Sequence, residues 1–461
     1  MFKKIRKLLI VSLLAVTVSA GSTVSAMAEV NTEAASDTYA VDSDSWAGWP
    51  QAPGLLGVTG CLYDMDTGAV LYAKGMDEQR FPASITKIMT ALVVVEHADL
   101  NAQVTFTETG LADAFDGSSN INPKLGETFT VDEMLQMLLV KSANDAGTQL
   151  AEYVGGSVEA FAAMMNQKAA ELGCTNTHFV NACGLENDDH YTSAHDMALI
   201  MRAAIQYDRI REIMNVQSIQ IDATEYTDTR YYDTHLLMLV PESEYYYEGA
   251  LGGKTGYTPI SGCTLVMYAA RGDRTLIGVV MGGGDSNLIC LDMADLFDYG
   301  FNNFSYTDMT DGYPMISGGT ALLPNGIDPS LVQTNAETTA EGVALSYVCN
   351  GQILGTGLMS EDAYTAWQTA LHPELQNEME AAEAEGETGI TDSEGIPFAE
   401  NAEAENTESS SQKKSKRTIF MYIAVAALVI AAAACVVLVI MTSDKYQRSR
   451  RERKRRNQRD Q

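Results

Sequence analysis

Residues 85–95 constrain the fold more than any other part of the chain. Ile85, Ile88, Met89, Ala91, Leu92, Val93, Val94 and Val95 leave no polar stripe at a 3.6-residue period. A helix that is apolar on nearly every side has to be buried among other elements. Pro82 suits its first turn, where a missing backbone N–H costs nothing. The same entrance carries Ser84 and Lys87, spaced to share one helix face. A serine hydroxyl becomes a nucleophile when a neighbouring base takes its proton. A lysine is such a base when burial or nearby positive charge keeps it neutral. A Ser-x-x-Lys pair at the mouth of a buried helix meets both conditions. Alone, the pattern is weak, and in most sequences it is an exposed helix start with a solvated lysine.

The ends of the chain set its context. Lys3, Lys4, Arg6 and Lys7, then an apolar core from Leu8 to Val18, then Ala26-Met27-Ala28, read as a secretory signal peptide over residues 1–28. Residues 419–441 run without a charge, long enough to span a bilayer. The basic cluster after it outweighs Lys413, Lys414, Lys416 and Arg417 before it, so the tail is expected in the cytoplasm and the bulk of the chain outside.

The net charge of −31 is unevenly spread. Residues 1–28 carry +4, 413–417 carry +4 and 442–461 carry +6, which leaves −45 for residues 29–412. So acidic an exterior argues against nucleic acid as a partner. Outside the span, six cysteines (Cys61, Cys174, Cys183, Cys263, Cys290, Cys349) permit disulfides in an exported chain, but buried free thiols fit their irregular spacing as well. Neither they nor the histidines form a zinc pattern, so no metal and no cofactor is expected.

In order, residues 29–52 read as a polar spacer. Residues 61–64 and 69–73 form a hairpin around Met65-Asp66-Thr67-Gly68. Thr130-Val131-Asp132-Glu133 is a capping box opening a helix, and further helices are expected over 145–153 and 157–172, stopped by Gly155-Gly156 and Gly173. Between the first two lies the polar break Lys141-Ser142-Ala143-Asn144. Residues 263–270 and 275–281 are strong strands, preceded by Gly252-Gly253-Lys254-Thr255-Gly256-Tyr257, whose glycines let another backbone approach. A helix over 287–301 closes this region. Residues 306–372 are weakly patterned β structure with Asn350-Gly351 as a type I′ turn, and residues 373–417 form an acidic stalk with little to bury.

Ser84-x-x-Lys87, Ser142-x-Asn144 and Lys254-Thr255-Gly256, on helix, loop and strand in that order, resemble the penicillin-binding serine acyl transferases. Pro82-Ala83-Ser84-Ile85-Thr86-Lys87, Ser142-Ala143-Asn144-Asp145-Ala146, Asn176 to Asn181, and His190-Tyr191 through Asp196-Met197-Ala198 narrow the resemblance to low-molecular-mass D-alanyl-D-alanine carboxypeptidases. The resemblance covers about residues 53–303. It implies an α+β, β-lactamase/transpeptidase-like fold: an antiparallel sheet flanked by helices, with an all-helical lobe over roughly 95–245. The expected organisation is a catalytic domain over 53–305, a small β domain over 306–372, the stalk, a transmembrane helix over 418–441 and a basic tail over 442–461.

By the same resemblance, Ser84 is the nucleophile, Lys87 its base, and Ser142 the relay to the leaving amine. Asn144 binds the substrate's peptide, Lys254 supplies positive potential that also helps keep Lys87 neutral, and Thr255 grips the terminal carboxylate. The backbone N–H groups of Ser84 and Tyr257 form the oxyanion hole, and Gly256 keeps the strand open. The implied partners are a peptidoglycan stem peptide ending in D-Ala-D-Ala, β-lactam antibiotics and the cell membrane. No basic residue follows Gly282-Gly283-Gly284, where many relatives have one, which shifts carboxylate binding towards Thr255 and Lys254. The competing readings are a β-lactamase, a DD-endopeptidase and a membrane-tethered penicillin sensor. The loop Gly184-Leu185-Glu186-Asn187-Asp188-Asp189 lacks the Glu-x-x-Leu-Asn arrangement that the first needs.

Overall fold

A computed structural model of the chain describes residues 39–115 and 117–371. The expected signal peptide, the first part of the spacer, the stalk, the apolar span and the basic tail lie outside the described residues. Among the described residues no helix is long and apolar enough to cross a membrane, and all six cysteines are free thiols.

The hairpin is β1 (Thr59–Asp64) and β2 (Val70–Lys74). The buried helix follows as Lys87–His97, entered through a 3-10 turn over Ala83–Thr86. Ser84 therefore lies in the tight turn feeding the α-helix and not in the helix itself. The cause is Ala83, whose φ of +52° bends the chain left-handed just before the serine. The lobe that follows corrects a second expectation, because it is not all helical. Two small antiparallel pairs interrupt it: β3 (Gln103–Thr105) with β4 (Thr128–Thr130), and β5 (Ser218–Ile221) with β6 (Arg230–Asp233). Each is a short alternating stretch, such as the exposed-buried-exposed-buried Ser218–Ile221, that seals the lobe with its inward residues. Between them run helices Val131–Gln136, Asn144–Gly155, Val158–Glu171, Ala194–Ala204 and Asp208–Asn215, the first with its capping box in place.

The chain returns to the main sheet with β7 (Ala250–Thr258), β8 (Gly262–Arg271) and β9 (Arg274–Gly283), giving the antiparallel order β2-β1-β9-β8-β7. Both faces are covered, which is why these strands read as unbroken apolar runs. Leu62, Leu265, Met267 and Val280 pack with Met293, Leu296 and Phe297 of helix Leu288–Asn303. Cys61, Val266, Ile277 and Val279 pack on the other side with Met89, Leu92, Met197 and Met201. The apolar helix 87–97 is thus held between the sheet and the lobe, and β7 is left as a free edge beside its entrance.

A second antiparallel sheet follows, formed by β10 (Phe304–Asp308), β11 (Ser317–Pro324), β12 (Gln333–Thr339), β13 (Gly342–Cys349) and β14 (Gln352–Met359) in the order β10-β11-β14-β13-β12. Asn350 and Gly351 both take positive φ at the β13–β14 turn, the requirement of a type I′ hairpin. Residues 39–52, read from sequence as spacer, are packed. Trp49 donates from Nε1 to the Leu71 carbonyl at 2.9 Å and stacks edge-on with Phe304 at 5.5 Å. Asn350 bonds the Ala47 backbone twice, at 3.1 and 3.0 Å. This segment clasps the main sheet to the small one.

Candidate active site

The turn bearing Ser84 is fixed from two sides. Thr264 of β8 donates from Oγ1 to the Pro82 carbonyl at 2.9 Å. On the far side the loop at Gly184 presses so closely on Ala83 that a Cβ there would lie 1.7 Å from the Ala83 oxygen. These contacts hold Ala83 in the left-handed region, which costs a non-glycine residue roughly 1–2 kcal/mol. In return the hydroxyl of Ser84 stands at the sheet edge while Lys87 enters the core.

Lys87 is fully buried. Its Nζ donates to Ser84 Oγ at 2.9 Å, to Asn144 Oδ1 at 2.7 Å and to the Cys183 carbonyl at 2.7 Å. Burial pulls its pKa down to about 8, against the opposing pull of Cys183, Asp145 and Asp113. The geometry decides what deprotonation does. The Asn144 and Cys183 oxygens only accept, so a neutral amine gives them its two remaining hydrogens. The lone pair then falls on Ser84 Oγ, and the amine becomes a base aimed at one hydroxyl.

The polar break adds the next wall. A wide π turn over Met137–Lys141 ends at Ser142, which takes φ +64°. Its neighbours are tied to the loop before it: Ser119 donates from Oγ to the Lys141 carbonyl at 2.9 Å and accepts from the Asn144 backbone at 2.7 Å. Buried Asp145 continues the tie by accepting from the Ile121 backbone at 2.9 Å. Burial raises this carboxyl to about pKa 6. Ser142 is thereby held in a non-helical backbone, with its hydroxyl on the same short segment as Asn144.

Strand β7 supplies the last wall. Lys254 is buried, donates to the Thr255 carbonyl at 2.8 Å, and has its pKa well below the ordinary lysine range through burial and the nearby charge of Lys87. The largest cause of the lowered Lys87 pKa is burial. Tyr257 is 66% exposed and points away, which leaves its backbone at the edge. A Cβ on Gly256 would lie 2.4 Å from Thr264 Oγ1 and 2.8 Å from the Ser84 nitrogen. The close approach of β7 to Ser84 therefore needs glycine. Gly256→Ala is expected to slow acylation by penicillin about 10²-fold by displacing the Ser84 turn, and to cost about 1–3 kcal/mol in a thermal melt. An unchanged acylation rate would show that the approach does not matter.

A buried base bonded to an exposed-edge serine, an amide at the base, and a free strand edge beside the serine's backbone suit acyl transfer to Ser84. Residues 51–285 match the family described as Peptidase_S11, D-alanyl-D-alanine carboxypeptidase. The chain belongs to that family. It is 35% identical over 248 residues to the D-alanyl-D-alanine carboxypeptidase DacF of Bacillus subtilis, covering 53% of this chain and 61% of DacF, so it spans about three fifths of that relative. It is 34% identical over 252 residues to the carboxypeptidase DacB2 of Mycobacterium tuberculosis, covering 53% of this chain and 81% of the relative. The solved Streptomyces K15 DD-transpeptidase superposes with a TM-score of 0.52 at 28% identity, over 55% of this chain and all of that one. A solved D-alanyl-D-alanine carboxypeptidase of Mycobacterium tuberculosis does so with a TM-score of 0.51 at 32% identity, over 56% and 95%. The fold is accordingly the α+β penicillin-binding, transpeptidase-type fold of antiparallel sheet and helices.

Within this carboxypeptidase-family site, Ser84, Lys87 and Asn144 are directly bonded, and Gly256 lies against Ser84. Ser142 stands two residues before Asn144 and Thr255 beside Gly256, and neither has a side-chain hydrogen bond to Ser84, Lys87 or Asn144 among the described residues. Sequence reasoning missed the Cys183 carbonyl, Ser119 and Thr264, and it quoted Asn181 within a motif without giving it a role. The Asn181 side-chain oxygen accepts from the backbones of Cys183, Gly184 and Leu185 at 3.0, 2.8 and 3.2 Å and so shapes the loop that feeds Lys87. A backbone carbonyl has no side-chain signature. The nearest available signal was Asn181 followed by Gly184, an ordinary turn pattern.

Proposed function

We propose that the protein is a serine-type D-alanyl-D-alanine carboxypeptidase that removes the terminal D-alanine from peptidoglycan pentapeptides and is acylated by penicillin. One observation carries the reading: the three-oxygen cradle of Lys87, which directs a neutral amine onto Ser84. In this reading Ser84 Oγ attacks the carbonyl carbon between the two D-alanines as its proton passes to Lys87. The oxyanion is held by the backbone N–H groups of Ser84 and Tyr257, each worth about 3 kcal/mol. The proton then moves by way of Ser142 to the leaving nitrogen, the C–N bond breaks, and D-alanine departs. Asn144 binds the peptide, while Thr255 and Lys254 receive the terminal carboxylate. Water attacks the ester and restores Ser84. The basic start of the chain, the uncharged stretch 419–441 and the basic tail support an exported enzyme held by one C-terminal span with the tail in the cytoplasm.

The test compares two substrates. Once D-alanine has left, water has room to approach the ester. Penicillin's leaving amine stays tethered and blocks that approach, and Glu186, Asp188 and Asp189 are all solvent-exposed. We expect repeated release of single D-alanines from a pentapeptide, and with penicillin a stoichiometric burst followed by slow turnover. Fast multiple turnover of penicillin without D-alanine release would make the protein a β-lactamase on the same fold.

A further inference from the structure

Behind the catalytic groups lies a buried histidine to which the mechanism gives no part. His190 is 1% exposed, and its Nε2 is 2.9 Å from Thr86 Oγ1. The Val180 backbone donates to His190 Nδ1 at 3.2 Å. A backbone N–H only donates, so Nδ1 carries no hydrogen. The hydrogen of the neutral ring is on Nε2, which donates to Thr86. Phe179 packs edge-on against the ring at 5.5 Å. The donor at Nδ1 and the apolar packing leave no place for a second ring proton. Burial, with the charges of His178 and Lys87, agrees by pulling the pKa down to about 3.

Thr86 is the residue before Lys87, and it is one stitch in a seam. Three residues after Lys87, Thr90 donates from Oγ1 to the Ala182 carbonyl at 2.7 Å. Between these two, Lys87 itself reaches the Cys183 carbonyl. The turn bearing Ser84 and the loop 180–190 thus meet through Thr86, Lys87 and Thr90 in succession, with Gly184 against Ala83 at the end. Lys87 aims its lone pair at Ser84 only while the Cys183 carbonyl takes one of its hydrogens, so the spacing of this seam sets the direction of the base.

We infer that His190 is a positioning residue for acylation: as a neutral ring protonated on Nε2, it locks Thr86, and with it the Ser84 turn, to the loop that presents the Cys183 carbonyl to Lys87. The inference rests on the reading of Ser84 as the acylated residue. It distinguishes His190 from a residue that merely fills the core, because loosening the seam admits water to Lys87. The groups that face Lys87 in the site are Cys183, Asp145, Asp113, Lys254 and His190, and only the last is altered in the test.

The experiment measures acylation by labelled penicillin on the full-length protein, per active site and as a function of pH, for wild type, His190→Ala, His190→Gln, Thr86→Val and the double variant His190→Ala/Thr86→Val. The wild-type rate is expected to rise with a midpoint near pH 8. His190→Ala and Thr86→Val are each expected to lower the rate per active site about 10²-fold and to move the midpoint upward as Lys87 is hydrated. The double variant should lose little more than either single one, since both cut the same link. His190→Gln, which keeps a donor for Thr86, should recover part of the rate. Thr86→Val preserves shape and gives the answer even if His190→Ala does not fold. A lower burst amplitude with unchanged rate per site and unchanged midpoint would make His190 structural only and overturn the proposal. Absence of labelling at Ser84 in the wild type would instead remove the acylation reading, and the proposal with it.

Discussion

Lys87→Arg is expected to slow acylation of Ser84 about 10²–10⁴-fold while leaving the fold intact, the range by which a general base contributes. Arginine keeps the positive charge and approximate length but does not lose its proton at any working pH. All its N–H groups donate, so none offers a lone pair to Ser84 Oγ. The same logic fixes the sign of the pH dependence. Lys87 has a pKa lowered to about 8 by burial, and only its neutral form is the base. Acylation should therefore rise with pH through about 8 in the wild type and lack that rise in the variant. Stopped-flow acylation across pH, with circular dichroism as a fold control, measures both. A wild-type-like rate in Lys87→Arg would remove Lys87 from the mechanism.

Ser84→Ala should abolish covalent labelling by penicillin and lower carboxypeptidase turnover by about 10⁶-fold, the scale seen when an acyl-enzyme nucleophile is deleted. The fold should be untouched, because among the described residues the only side-chain bond of Ser84 is the one from Lys87. Peptide mapping of the labelled wild type locates the adduct. Any labelling that persists in Ser84→Ala places the nucleophile elsewhere.

What was legible in the sequence was whatever side chains announce. The apolar run 85–95 required a helix with cover on all sides, and it is buried between sheet and lobe. Asn350-Gly351, Gly156 and the Thr130–Glu133 box marked ends that the backbone respects. The three motifs named Ser84, Lys87 and Asn144, which are bonded together. What stayed hidden was carried by main chain or by long-range packing. The third partner of Lys87 is a carbonyl, and any residue at position 183 presents one. The left-handed turn at Ala83 is imposed by Thr264 and Gly184, about a hundred or more residues away, and alanine gives no sign of it. The two short strand pairs in the lobe are too brief to outweigh the helices around them.

The clasp formed by residues 39–52 bears on where this enzyme begins as a folding unit. The match to the family begins at residue 51, and a boundary drawn there looks natural because it precedes the first strand. It would nonetheless cut away Trp46 and Trp49, whose rings meet at 5.3 Å. Phe304 would lose one of its two edge-on partners, the Leu71 carbonyl its side-chain donor, and Asn350 both of its bonds to the Ala47 backbone. A shortened chain of that kind would bare an apolar seam beside β2, the edge of the main sheet opposite β7, a site for self-association. The packed structure thus begins before the family match, and residues 39–52 belong to the architecture of both sheets.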